Sequence, residues 1–150
     1  MKKFFIAILL LIGVASRSSA QDYPVAAKEY CNCFAKLKDT LDPEFRALMI
    51  RVAKATDVKS AFIKEMTALE APKQQKLGEQ LEALGVSLDS EDTEAGKCGI
   101  VLDKKYEKYN DTPEKEKDFN SKMAVELKKN KDCEFLWAVT VFALAFGDED

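Results

Sequence analysis

The chain has 150 residues, with 23 Lys and Arg against 26 Asp and Glu, no histidine and a formal net charge of -3. That length amounts to one domain with a single core. An acidic chain without unpaired clusters of Lys and Arg has no electrostatic reason to seek nucleic acid or an anionic membrane surface. Without histidine, no Ser-His-Asp or Cys-His arrangement, no haem attached through Cys-x-x-Cys-His and no His-built zinc site can be assembled.

Residues 1–20 read as a secretory signal peptide of bacterial type. Lys2 and Lys3 make a basic start, Phe4 to Val14 an apolar run, and Ser18-Ser19-Ala20 the small residues of a cleavage site. The expected location is periplasmic or secreted, with no membrane attachment after cleavage. Removing residues 1–20 takes away Lys2, Lys3 and Arg17 and no acid, so the charge moves from -3 to -6. The remainder, residues 21–150, is expected to be a single secreted all-helical domain.

Pro24 can open a helix, because a proline in the first turn loses no hydrogen bond. Ala26, Tyr30, Cys33, Phe34, Leu37 and Leu41 follow at helical spacing on one stripe, with Cys31 on the opposite flank near Ala27. Asp42-Pro43-Glu44 is a stop and a restart, with Asp42 as cap. Phe45, Leu48, Met49, Val52 and Ala55 then share a face. Asp57 offers a second cap before Val58, Ala61, Phe62, Met66 and Leu69, so two helices are expected with a joint near Thr56-Asp57, a single bent helix being the alternative.

Pro72 starts a helix bearing Leu77, Leu81 and Leu84, which Gly85 is expected to close as a left-handed cap. The acidic stretch Val86 to Asp92 reads as a loop. The acidic run Asp89 to Glu94 lacks the central glycine and closing glutamate of a calcium loop, having Glu94 and Ile100 in their places, and a capped helix start explains its acids better. A helix carrying Cys98, Val101, Leu102, Tyr106 and Tyr109 follows, then a break at Asn110-Asp111-Thr112-Pro113, with Thr112 as cap and Pro113 as first helical residue. The next helix turns Phe119, Met123 and Leu127 inward.

The stretch from Cys133 to Phe146 is the piece around which the rest is organised. From Phe135 to Phe146 only Thr140 is polar, which places a helix in the middle of a bundle or in a membrane. Its twelve residues rise only about 18 Å against a hydrocarbon layer of roughly 30 Å, so the bundle is the expected setting. No segment alternates with period two, so no sheet is expected. The predicted fold is an all-α bundle of six or seven helices around an apolar C-terminal helix, stapled by disulfides.

All four cysteines, Cys31, Cys33, Cys98 and Cys133, follow the leader, and an even count in an exported chain reads first as disulfides. Cys31 and Cys33 diverge by about 200° on a helix and cannot bond each other. The expected pairing is Cys33 with Cys133 and Cys31 with Cys98. No catalytic, cofactor or metal site stands out, and the expected role is non-enzymatic binding of an unnamed partner in an unspecified oligomeric state. Two other roles are open. One is a carrier of a small apolar ligand in the bundle core near Trp137. The other is a thiol-redox or Cu(I) protein using Cys31 and Cys33, with help from Met49, Met66 or Met123.

Overall fold

The computed structural model describes residues 19–147, and the leader proposed for residues 1–20 lies almost wholly outside them. Seven α-helices follow in order: α1 (Ser19–Cys33), α2 (Pro43–Ala53), α3 (Val58–Thr67), α4 (Ala71–Asp89), α5 (Glu94–Lys105), α6 (Pro113–Leu127) and α7 (Glu134–Phe146). Three short 3-10 segments, Leu37–Thr40, Glu107–Tyr109 and Lys131–Cys133, sit in the connections, and no strand occurs among the described residues. The predicted all-α bundle is the observed fold.

The predicted helix starts are made by the side chains expected to make them. Asp42 accepts from the Glu44 N–H, Asp57 from the Ser60 N–H and Thr112 from the Lys115 N–H, each satisfying a donor that the first helical turn leaves free. The joint at Thr56-Asp57 therefore separates two helices, α2 and α3. Pro43, Pro72 and Pro113 each stand at the beginning of a helix, where a missing N–H costs nothing.

Two expected boundaries fall elsewhere. Gly85 does not end a helix: α4 continues to Asp89, and no described glycine has a positive φ. Leu84 is buried and Leu88 packs against the core one turn later, so tertiary contact carries the helix past a residue that only weakly opposes it. The acidic loop shrinks to a tight turn, in which Thr93 caps α5 by accepting from the Gly96 N–H. Upstream, α1 begins before Pro24, which lies inside it.

The helices pack in series. Helix α1 packs between α5 and α6, α6 on α7, α7 on α2, and α4 on α5, while α3 lies outside against α2 and α7. Phe45, Met49 and Val52 from α2 and Leu127 from α6 are the most deeply buried large side chains. The apolar α7 is deepest in its first turns, where Phe135, Trp137 and Ala138 are buried; its later residues are half-buried, and Ala143 is exposed. Helix α3 has no fully buried residue and touches α7 through the edges of Phe62 against Phe142 and Phe146.

On the other side, α1, α5 and α6 are joined by a cluster holding Tyr23, Tyr30, Tyr106, Tyr109 and Phe119. Three of these phenols donate to carboxylates across helices: Tyr30 to Asp103 at 2.7 Å, Tyr106 to Glu29 at 2.9 Å, and Tyr109 to Asp22. Burial and the Asp103 carboxylate push the Tyr30 phenol well above its usual range. Lys105, together with the Tyr106 hydroxyl, holds Glu29 below the usual carboxylate range. The face combines ring packing with charge-assisted hydrogen bonds, which suits a structural seam.

Candidate functional site

Each cysteine is bonded, but the partners are the reverse of those expected. Cys31 joins Cys133, with Cα atoms 5.4 Å apart, and Cys33 joins Cys98, at 5.8 Å. The two thiols lie on opposite flanks of α1, as their spacing predicts, but each flank meets the other's expected neighbour. The aromatic flank of Tyr30, Cys33 and Phe34 meets α5, where the missing side chain of Gly99 makes room for the Phe34 ring. The small flank, Ala27 and Cys31, lets the short segment before α7 approach closely enough for Cys133 to bond. Bulk needed a glycine opposite it, and small residues admitted the close approach.

This placement bears on two of the roles considered. The sulfurs of Cys31 and Cys33 are each engaged with a distant residue, so they do not form a facing pair of thiols. Met49 and Met123 are buried in the core, and no group of three or more Cys, Asp or Glu side chains able to hold a metal ion occurs among the described residues. Trp137 is buried, with the Lys128 ammonium 5.5 Å from its ring centroid.

A cleft lies elsewhere, between α2, the end of α3 and the first half of α4. Its volume is about 310 Å3, and Ala47, Leu48, Leu69 and Leu77 supply its apolar surface. An ion pair stands on each side. Arg51 donates to Glu65 through Nε and Nη2 at 3.1 and 2.8 Å, and Lys76 lies 2.5 Å from Asp42. The Arg51 guanidinium holds Glu65 below its ordinary range, and Lys76, with the Glu44 N–H, does the same for Asp42. Glu44, Lys73 and Gln80 complete the rim.

The way α4 meets α2 explains why a cleft survives here. Helix α4 is bound to the start of α2 by polar links, namely the Lys76–Asp42 pair and a 2.8 Å hydrogen bond from the Asp42 N–H to Gln80 Oε1. Side chains reaching across a gap leave the apolar floor open beneath them. From the sequence, Leu48, Leu69 and Leu77 read simply as core. The available signal was on α4, where Lys73, Lys76, Leu77 and Gln80 fall at spacings of three and four and so form one face that is apolar at its centre and polar at its edges.

The chain is thus an all-helical protein cross-linked by two disulfides, a chemistry that belongs to oxidising compartments. No described helix is long and apolar enough to cross a membrane. Comparison with protein-family models, with curated proteins and with solved structures returns no match.

Proposed function

We propose that this is an exported, non-enzymatic protein that acts by binding, and that the cleft between α2, α3 and α4 receives an apolar side chain presented by a partner peptide or protein. The observation that carries this reading is the cleft's apolar floor bounded by ion pairs of both signs. Its volume, about 310 Å3, lies at the small end of the roughly 300–1,000 Å3 of ligand pockets and suits one or two anchoring side chains. The rim carries Asp42, Glu44 and Glu65 against Arg51, Lys73 and Lys76, so an apolar anchor flanked by one charge of each sign matches it without a net field.

Export rests on the composition of residues 1–20, on the disulfides and on Pro24. A proline within α1 cannot donate to the Ala20 carbonyl, so the helix lacks a bond at that point. Cleavage after Ala20 would put Pro24 into the first turn, where no such bond is needed. N-terminal sequencing of the exported protein should begin at Gln21, and retention of residues 1–20 would contradict export by cleavage.

The binding test uses the peptide acetyl-Lys-Leu-Leu-Glu-amide and titration calorimetry on the oxidised protein. Saturable binding, lost in a Leu69→Asp variant that still melts cooperatively, is the expected result. No binding at millimolar peptide, or binding that Leu69→Asp leaves unchanged, would contradict the proposal. Binding of n-decanoate without binding of the peptide would make the protein a carrier instead.

A further inference from the structure

We infer that the Cys33–Cys98 disulfide is a thiol-exchange site, one that a small dithiol can open and close while the Cys31–Cys133 bond stays fixed. The two bonds leave the same helix two residues apart but enter different surroundings. Cys31 and Cys133 are buried, at 9% and 3% exposure. Cys33 and Cys98 are only half-buried, and both line a cleft of about 650 Å3 shared with Asn32, Lys36, Thr93 and Glu94. The cleft that touches Cys31 and Cys133 is smaller, about 240 Å3.

Thiol–disulfide exchange requires a thiolate to reach a sulfur directly, so access decides which bond reacts when both are present in one fold. A thiolate of the dithiol attacks one sulfur of the Cys33–Cys98 bond, forming a mixed disulfide and expelling the other cysteine as a thiolate. The second thiol of the reagent, after losing its proton, displaces the remaining cysteine, so the dithiol leaves oxidised to a disulfide and Cys33 and Cys98 are reduced. The freed Cys33 sulfur lies on the flank of α1 opposite Cys31, which keeps exchange from passing to the second bond.

Opening this bond loosens one end of α5 only. The far end stays anchored to α1 by the Tyr30–Asp103 hydrogen bond and by Lys105 and Tyr106 on Glu29. Toward α1 the near end would retain only the contact of Phe34 with Gly99 and the Lys36–Glu94 pair, which is almost fully exposed and holds little against thermal motion, while the Thr93 hydroxyl, donating to the Ser87 carbonyl at 2.7 Å, keeps that end tied to α4. Reduction therefore widens the cleft beside Cys98 and leaves the core in place.

The test uses the oxidised full chain in native buffer with dithiothreitol, quenched at intervals with iodoacetamide and mapped by mass spectrometry. Cys33 and Cys98 should be labelled at least roughly 10-fold faster than Cys31 and Cys133, and the doubly labelled species should keep a cooperative thermal transition. Labelling of Cys31 and Cys133 first, or of all four together, would overturn the inference. So would a doubly labelled species that has lost its cooperative transition.

Discussion

Cys31 and Cys33 stand two positions apart on α1, yet one is bonded to Cys133 at the threshold of α7 and the other to Cys98 in the middle of α5. A single helix thereby anchors both the C-terminal element and the α4–α5 arm. The closed loops, 102 and 65 residues long, differ by only about 0.4 kcal/mol in the entropy they remove from the unfolded chain. Surroundings, not loop length, should separate the two bonds.

Replacing either pair by serine should cost about 2–5 kcal/mol. The Cys31→Ser, Cys133→Ser variant should lose more than Cys33→Ser, Cys98→Ser, because its hydroxyls enter a buried place while the others keep access to water. Urea denaturation of the two double variants reads the difference, and equal midpoints would contradict it.

Two glycines of similar helical setting should respond in opposite directions. A Cβ on Gly96 would lie 1.9 Å from the Ser90 carbonyl oxygen, at the tight turn joining α4 to α5, so Gly96→Ala must displace backbone and should destabilise strongly. At Gly85 nothing lies within 4 Å of the new methyl group, and φ is not positive. Gly85→Ala should stabilise by about 0.5–1 kcal/mol, seen as a higher melting temperature.

How much of this was legible in the sequence follows from which forces are local. Capping at Asp42, Asp57 and Thr112 and the inward faces of Phe45, Met49, Phe119 and Leu127 could be read directly, since each depends on a few neighbouring residues. Gly85 misled because burial of Leu84 and the packing of Leu88 outweighed a weak local preference. The disulfide pairing was not legible at all. It depends on which distant elements the two flanks of α1 meet, and Gly99, which eases the contact of α5 with the Phe34 ring, announces nothing by its spacing. The cleft was hidden for the same reason: Leu48 and Leu77 follow a core pattern and are indeed buried, and only the meeting of three helices sets half-buried Leu69 and the charged rim around them.

Stability should be insensitive to pH through the neutral range and fall on both sides of it. With no histidine, nothing in the chain has an ordinary titration near pH 6.5. Asp22 is held low by the Tyr109 hydroxyl, Glu29 by Lys105, Asp42 by Lys76, Asp57 by the Ser60 N–H and Glu65 by Arg51. A depressed carboxylate stabilises the fold above its unfolded pKa, and this is lost as pH falls through the folded value, here below about pH 4. Tyr30, Tyr106 and Tyr109 are raised, so ionisation in the unfolded chain destabilises the fold above about pH 10. Melting temperatures measured from pH 2 to 11 should form a plateau between these limits, and a sharp loss between pH 5 and 7 would contradict this assignment.

The claim that the protein works by holding an apolar anchor between α2, α3 and α4 is most directly tested by mapping amide chemical shifts while acetyl-Lys-Leu-Leu-Glu-amide is added to the oxidised protein. Saturable shifts concentrated at Ala47, Leu48, Leu69, Lys73 and Leu77, with the tyrosine seam of α1, α5 and α6 unmoved, are what the account predicts. Saturable shifts centred on that seam or on α7, with the α2–α4 cleft silent, would contradict it.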